Sequence, residues 1–215
     1  MTLFSPSLHG ADCSPDAGAG QLRELAKKAG EDLDGHGNRV ASMVPLILLA
    51  AGAFSEKWTL LRFGALLHDI GKSLIPEDIL HAPRGLTQSE WVLMQRHTIF
   101  GLDILRQMVR DVPQDIADCV LLHHERWDGQ GYPTGLAGEA IPLFARIVAI
   151  ADFIDAVASP RSYKPAVPLT IVRQLINRES GSRFDPALAE ATLLIWERLV
   201  HARWRADSRP AFTTR

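Results

Sequence analysis

The sequence predicts an all-α fold, and three observations support that class. Apolar residues recur at helical spacing in several segments, most clearly from Leu143 to Ala158, where the isoleucines share one side. Helix-start signals precede other segments, since Thr87 and Glu90 have the spacing of a capping box and Asp185-Pro186 has the order of an N-cap and a first-turn proline. No segment alternates apolar and polar residues over a convincing strand length.

In the first half of the chain, apolar spacing and helix breakers place the predicted helices. Gln21 to Ala29 carries two leucines at helical spacing and predicts a short amphipathic helix. A helix near His36 is weakened by the glycines on both sides of that histidine, and Pro45 should kink or restart it. Trp58 to Leu67 is an apolar helix, and the capping box opens a helix over Thr87 to about Met108.

In the second half, prolines and glycines mark the ends of the helices. A helix begins near Pro113, runs through Leu121 and is broken by Asp128-Gly129. The helix that begins at Leu143 ends at Ser159-Pro160, and Pro168 to Asn177 predicts another. The last predicted helix begins at Asp185-Pro186 and continues through Leu199.

Length and composition favour one folded domain with short flanking segments. The chain has 215 residues, which is long enough to bury a substantial core. Residues 1–20 are rich in Ser, Pro, Gly and Asp without periodicity, so we expect a flexible N-terminal segment. Residues 21–200 form the predicted domain, and residues 201–215 form a basic tail in which charges such as Arg203 are solvated.

Charge, cysteine content and hydropathy exclude several classes of protein. The formal net charge of -2 argues against DNA or RNA polymers as partners. Two cysteines, Cys13 and Cys119, do not make a disulfide scaffold and favour a reducing compartment; we expect Cys119 in the core. The longest apolar run, Val44 to Phe54, is too short to cross a bilayer, and no signal peptide is indicated. We expect a cytoplasmic protein without a membrane partner.

Two doublets and one isolated carboxylate indicate a metal site. His123-His124 lies at the end of a predicted helix, where adjacent side chains can face one site. His68-Asp69 forms a second doublet, and an aspartate can bridge two cations through its two oxygens. Asp152 lies inside an apolar helix, where an unpaired carboxylate is costly to bury. Together these residues predict more than one metal ion.

Lys72 is a candidate anion-binding residue beside this site. It follows His68 by four residues and Asp69 by three, so it lies on the same side if the helix persists. A cation at that position could bind an anionic ligand. The alternative is a solvated lysine at a helix end.

Three motifs occur in order along the chain: His68-Asp69-x-Gly71-Lys72, His123-His124-Glu125 and Asp128-Gly129-x-Gly131-Tyr132-Pro133. Further segments of the same kind are Pro76-x-x-Ile79-Leu80, Gly85-Leu86-Thr87, Glu90-Trp91, His97-x-x-x-Gly101, Ile141-Pro142, Ala145-Arg146-Ile147 and Gly181-x-x-Phe184-Asp185-Pro186. Over roughly residues 30 to 195 the chain resembles the HD-GYP family, the bacterial branch of HD-domain phosphohydrolases that hydrolyses cyclic di-GMP. The resemblance implies an HD-domain helical bundle with the HD-GYP C-terminal helices, and makes residues 21–200 the catalytic domain.

The resemblance also implies a set of metal ligands. They are His36, His68, Asp69, His97, His123, His124 and Asp152. Taken alone, His36 would be interpreted as a surface or turn histidine and His97 as a structural one, so the other ligands decide these two assignments. The family often has Glu where Asp32 stands and uses it for a third ion; the i,i+4 spacing to His36 makes Asp32 the candidate third-metal ligand.

The proposed ligand set indicates which metals to expect. Five imidazoles and two carboxylates argue against magnesium or calcium and favour two divalent transition-metal ions, with iron or manganese expected. Two such ions against two carboxylates leave a formal charge of about +2, which attracts an anionic phosphodiester.

The resemblance assigns roles around the metals. Asp69 and Lys72 are the catalytic residues, and Lys72, Tyr132, Arg161 and Lys164 bind substrate. The alternatives are a structural turn for Tyr132 and ordinary surface charge for Arg161 and Lys164. Separately, we expect Glu125 and Asp128 to orient imidazoles.

The expected function is a metal-dependent phosphodiesterase, a hydrolase that cuts cyclic di-GMP through a metal-bridging hydroxide. The first cut gives pGpG, and a second cut could give GMP. The Gly131-Tyr132-Pro133 loop is also a candidate contact for a signalling protein. The alternatives are a catalytically inactive cyclic di-GMP sensor or protein-docking module, an HD phosphohydrolase acting on another nucleotide or cyclic dinucleotide, and an oxidative di-iron enzyme.

Overall fold

The computed structural model describes residues 20–22, 24–25, 35–53, 57–160 and 165–207. Regular structure in these ranges is helical, apart from an isolated bridge between Ser180 and Phe184. The predicted all-α class is therefore confirmed. Among the described residues no helix has the length and apolarity needed to span a membrane.

The described part of the chain contains ten α-helices and two short 3₁₀ segments. The α-helices are α1 His36–Ala50, α2 Trp58–Leu67, α3 Glu77–Leu80, α4 Gln88–Gln95, α5 His97–Met108, α6 Gln114–Leu122, α7 Leu143–Ala158, α8 Leu169–Arg178, α9 Pro186–Leu194 and α10 Trp196–Asp207. The 3₁₀ segments are Ile70–Leu74 and Gly138–Ala140. Residues 20–22 and 24–25 are also helical, with Leu22 and Leu25 buried as their spacing predicts.

The main core forms where α1, α2, α6 and α7 pack together, with α10 packed on α1. Each helix contributes fully buried aliphatic side chains, such as Ile47, Leu61, Ile116 and Ile150. Burying one side chain of this size contributes about 1.5–3 kcal/mol. Cys119 lies in this core as predicted, and burial raises the pKa of its thiol far above the ordinary value. This packing fixes the helix ends that carry the polar residues described below.

Helix α1 differs from expectation because it passes through Pro45 without interruption. Val44, Ile47 and Leu48 are buried around the proline, and their burial exceeds the roughly 3 kcal/mol cost of an internal proline. The glycines beside His36 also have specific roles. Gly35 caps the helix with φ of 71°, and Gly37 lies so close to α2 that an added Cβ would be 3.0 Å from the carbonyl oxygen of Leu66.

Two predicted helices are each divided in two. The segment after the capping box, which forms as predicted at Thr87, breaks at Arg96 into α4 and α5, so that His97 begins a new helix. The segment after Asp185 breaks at Ile195 into α9 and α10. Asp185 is the predicted N-cap, and its carboxylate accepts hydrogen bonds from the backbone of Ala187 and Leu188. The turns at Arg96 and Ile195 carry neither proline nor glycine, so no local signal marked them.

Gly71 allows the 3₁₀ segment after the His68-Asp69 doublet to lie directly on α5. A Cβ at Gly71 would overlap the carbonyl oxygen of His97 and the backbone nitrogen of Gly101. Both obstacles are backbone atoms, which cannot rotate away. The close approach therefore sets the distance between Asp69 and His97.

Gly71→Ala should lower the free energy of unfolding by about 3 kcal/mol or more, because overpacking here displaces backbone rather than side chains. Gly85→Ala is the matched control, since an added Cβ at Gly85 meets nothing within 4 Å. Urea unfolding of both variants measures the difference. Equal unfolding midpoints for the two variants would contradict the inferred contact.

Candidate metal centre

The candidate metal ligands lie close together in the structure, and nearly all of them stand at the ends of helices. His36 begins α1, His68 and Asp69 follow α2, and His97 begins α5. His123 and His124 follow the end of α6, whereas Asp152 projects from the middle of α7. The structure thus brings together the seven residues proposed as ligands from the sequence, and their coordination of metal stays a prediction.

Asp69 lies at the centre of the cluster, with each oxygen directed to a different pair of imidazoles. Its Oδ2 is 3.4 Å from Nε2 of His68 and 3.7 Å from Nε2 of His36. Its Oδ1 is 3.3 Å from Nε2 of His97 and 3.8 Å from Nε2 of His123. Asp69 is 3% exposed, and Oδ1 has no hydrogen-bond partner within the described part of the chain. A buried carboxylate oxygen without a partner is costly unless a cation meets it.

The cluster contains two groups that each have suitable ligand spacing. One group is Asp69, His97, His123 and His124, and the other is His36, His68 and Asp69. Asp152 adjoins the second group, because its Oδ1 is 3.2 Å from Nε2 of His36 and 3.7 Å from Nε2 of His68. The donor set of imidazole nitrogens and carboxylate oxygens suits transition-metal ions, so the residues fit the cofactor predicted for them.

Hydrogen bonds at Nδ1 direct four imidazoles into the cluster. His68 and His97 each donate from Nδ1 to a backbone carbonyl, of Ala65 and Met94, at 2.7 Å. His123 donates to the carbonyl of Cys119 at 2.9 Å, and His36 to the carboxylate of Asp155 at 2.7 Å. In each case this bond at Nδ1 turns Nε2 toward the site, where the neutral form of the ring can offer a lone pair to a metal ion. The Nε2 atoms of His36 and His68 are 3.2 Å apart, and those of His97 and His123 are 3.4 Å apart.

The electrostatics favour cations between these rings. Burial alone would lower the pKa of His68, but the carboxylates of Asp69 and Asp152 raise it to about 10. Burial lowers the pKa of His124 to about 3, so this ring is neutral at physiological pH. Despite burial, Lys72 and His68 hold the pKa of Asp69 well below its usual range. The site therefore contains ionised carboxylates and neutral imidazoles on the side of His124.

Asp155 is a further site residue, for which the sequence suggested only support of Asp152 or a cap at the end of the helix. It is 0% exposed and accepts hydrogen bonds from His36, Arg39 and Arg203. The expectation that Arg203 is a solvated charge is wrong, because this residue lies in α10 and pairs with Asp155 at 2.6 Å. The spacing of Asp152 and Asp155, three residues apart in an apolar helix, was the available signal. No signal in the sequence indicated that Arg203, 48 residues further along the chain, pairs with Asp155.

The loop after His124 covers the cluster with an aromatic ring. The ring of Tyr132 stacks on His124 with centroids 4.8 Å apart, and its backbone N–H donates to the carbonyl of His124. Burial raises the pKa of Tyr132 well above its usual value, so the phenol stays protonated. Gly131 lies against the backbone of Glu125 and Arg126, where a Cβ would overlap both. The Tyr132-Pro133 peptide bond is cis.

Glu125 and Asp128 hold the loop, and the expectation that they orient imidazoles is wrong. Oε1 of Glu125 accepts hydrogen bonds from the backbone and hydroxyl of Thr134, both at 2.7 Å, and from the backbone of Gly135 at 3.1 Å. Asp128 pairs with Arg126 and accepts from the backbone of Gln130. Backbone carbonyls and Asp155 orient four of the imidazoles instead, those of His36, His68, His97 and His123.

Lys72 lies beside the cluster, although the helix predicted to carry it ends at Leu67. The 3₁₀ segment keeps it on the same side, where its ammonium donates to Oδ2 of Asp69. The side chain is 22% exposed and so is accessible from solvent. The predicted residues Asp32, Arg161 and Lys164 lie outside the described residues.

Comparison with known proteins identifies the family of this chain. Residues 20–188 match the model of the HD domain, and the chain belongs to the HD-domain family. The fold agrees with the solved structure of an HDG"Y"P protein from Bdellovibrio bacteriovorus, with a TM-score of 0.63 at 19% identity over 85% of this chain and 62% of that one. At this identity the likeness concerns the fold alone.

Sequence relatives act on cyclic dinucleotides, according to their names. The chain is 34% identical over 182 residues to 3'3'-cGAMP-specific phosphodiesterase 2 of Vibrio cholerae, covering 85% of this chain and 35% of the relative. It is 41% identical over 158 residues to a cyclic di-GMP phosphodiesterase of Thermotoga maritima, covering 74% of this chain and 43% of the relative. The chain thus spans less than half the length of these relatives. The predicted relation to HD-GYP phosphodiesterases is confirmed.

Glu125→Gln should loosen the loop that carries Tyr132. Replacing the carboxylate by an amide removes the charge from three hydrogen bonds, which should lower the free energy of unfolding by about 2 kcal/mol. Amide exchange at Thr134 and Gly135 should accelerate in the same variant, which hydrogen-exchange mass spectrometry measures. The exposed Glu139→Gln is the control. Unchanged exchange at both amides would show that Glu125 does not hold the loop.

Proposed function

We propose that this chain hydrolyses a phosphodiester bond of a cyclic dinucleotide, with cyclic di-GMP as the expected substrate. The observation that carries the proposal is the position of Asp69, whose two buried oxygens face two separate groups of imidazoles. A single carboxylate shared in this way suits two ions bound side by side. Relatives named as cyclic di-GMP and 3'3'-cGAMP phosphodiesterases support this reaction class.

The proposed cofactors are two divalent ions, iron or manganese. His36, His68 and Asp152 would hold one ion, and His97, His123 and His124 the other, with Asp69 between them. When bound, such ions lower the pKa of a coordinated water and compensate charge on phosphorus. Asp32 is a candidate ligand for an additional third ion, which the two-ion site does not require.

The protein's own side chains would bind and orient the substrate. The ammonium of Lys72 lies beside Asp69, where it can donate to a non-bridging phosphate oxygen. Arg161 and Lys164 are proposed for the same task, as cations that hold phosphate. The ring of Tyr132 lies over His124 with Trp91 at its edge, and its protonated hydroxyl can donate a hydrogen bond. An aromatic surface of this kind suits a purine base.

A contact between the Gly131-Tyr132-Pro133 loop and a signalling protein is a further proposal. The half-buried loop adjoins the exposed side chain of Trp91 on α4, through the ring of Tyr132. The next residue of α4, Val92, is also exposed. Such a surface would couple a bound partner to the residues that cover the metal cluster.

Metal content should follow the division of the cluster into two groups. After dialysis against Mn²⁺, the unmutated chain should retain about two ions, and His36→Ala and His97→Ala about one each, because each variant disrupts one group. Asp69→Asn should retain less than one, because Asp69 belongs to both groups. Elemental analysis by mass spectrometry measures the content, with the exposed His81→Ala as control. Unchanged content in Asp69→Asn would contradict the shared carboxylate.

The activity itself is tested on protein loaded anaerobically with iron or manganese and incubated with cyclic di-GMP or 3'3'-cGAMP. The expected product from cyclic di-GMP is pGpG, and the appearance of GMP would show that a second cut follows. Asp69→Asn should be slower by about 10³-fold or more, since the loss removes several kcal/mol of charge compensation. Mass spectrometry identifies the products. Faster cleavage of 3'3'-cGAMP would reassign the substrate, and metal binding without cleavage of either would refute the proposed activity.

A further inference from the structure

Asp155 is a buried acceptor at which three different helices meet. Its Oδ2 accepts from Nδ1 of His36 at 2.7 Å and from Nη2 of Arg39 at 3.0 Å. Its Oδ1 accepts from Nε of Arg39 at 2.8 Å and from Nε of Arg203 at 2.6 Å. Asp155 belongs to α7, Arg39 and His36 to α1, and Arg203 to α10. One carboxylate therefore joins a candidate ligand of the metal cluster to the last helix described.

His36 is held differently from the other ligand histidines. His68, His97 and His123 donate from Nδ1 to carbonyls three or four residues earlier in their own segments, so local helical geometry fixes those rings. His36 donates instead to a side chain 119 residues away in sequence. Its orientation therefore depends on tertiary contacts that place Asp155.

Arg203 restrains Asp155 through Oδ1, whereas His36 bonds to Oδ2. Its Nε donates to Asp155, and its Nη2 donates to the hydroxyl of Ser159 at 2.7 Å. Two donors on one planar guanidinium fix its angle, and the side chain is only 15% exposed. Ser159 is the C-cap of α7. Arg203 therefore donates hydrogen bonds to α7 at two positions, Asp155 and Ser159, that lie about one turn apart. The residue lies beyond the segment 20–188 that matches the HD-domain model.

We propose that Arg203 is a positioning residue for the metal site, through which α10 sets the orientation of His36. A carboxylate behind a ligating histidine fixes the ring and raises its basicity, and loss of such a partner typically costs 10–100-fold in metal affinity. Arg203 does not contact His36 itself but holds the carboxylate of Asp155, which in turn orients His36. By linkage, an ion bound at His36 and His68 stabilises the docking of α10 to the same extent that α10 strengthens ion binding. The inference rests on the metal centre of the proposed function.

The test compares Arg203→Met with Arg203→Lys and with Arg205→Met, an exposed arginine of the same helix. Free Mn²⁺ is measured by electron paramagnetic resonance during titration of the full chain. Arg203→Met should weaken one of the two Mn²⁺ sites about tenfold and leave the other unchanged. Arg203→Lys should recover part of the loss, because an ammonium can reach Asp155 but lacks the forked geometry. Arg205→Met should bind as the unmutated chain does.

Hydrogen exchange of Trp196–Asp207 provides a second readout that separates positioning from simple helix docking. Mn²⁺ should slow exchange in this helix in the unmutated chain and in Arg205→Met, but not in Arg203→Met. A lower melting temperature of Arg203→Met with unchanged affinity at both sites would overturn the inference and leave a structural ion pair. Absence of Mn²⁺ binding by the unmutated chain would instead refute the proposed metal centre, and the inference with it.

Discussion

The burial of Asp69 and Asp152 among five imidazoles is the constraint on which the rest of the site depends. Two ionised carboxylates in a closed bundle are costly unless positive charge is placed between them and the rings. Lys72 reaches one oxygen of Asp69 from the solvent side, but Oδ1 has no partner in the described part of the chain. The surrounding rings present lone pairs rather than protons to that oxygen. The arrangement therefore suits a cation-binding site better than an ordinary polar core.

This constraint explains why the fold places helix ends around the cluster. A residue at a helix end can turn its side chain away from the regular helical direction, which lets the adjacent pair His123 and His124 face one site. Close backbone contacts then replace side-chain packing, as at Gly71 against α5 and at Gly131 against Glu125. The glycines of the motifs therefore set distances between ligand-bearing segments, while the charged residues set their chemistry.

The sequence predicted the helical class, the single helix Leu143–Ala158, both N-caps and the convergence of seven polar residues. These features depend on local spacing or on motifs, which can be recognised in the amino-acid sequence alone. The breaks at Arg96 and Ile195 and the uninterrupted passage through Pro45 depend on tertiary packing, which overrides local preference. The role of Glu125 was wrong because its partners, Thr134 and Gly135, come from a fold of the loop that spacing does not reveal. Arg203 was placed in solvent because charge alone does not indicate a buried partner.

The distribution of the cluster over five helices has a consequence for the life of the protein in the cell. His36 and Asp152 are far apart in the chain, so the complete cluster exists only in the folded bundle. An ion that binds only this state acts as a folding ligand, and each tenfold rise in its free concentration above the dissociation constant adds about 1.4 kcal/mol of stability per site. Scarcity of the metal would then reduce the amount of intact protein as well as its turnover, because a less stable chain is removed by proteases. Metal supply and protein abundance would thereby be linked through folding itself.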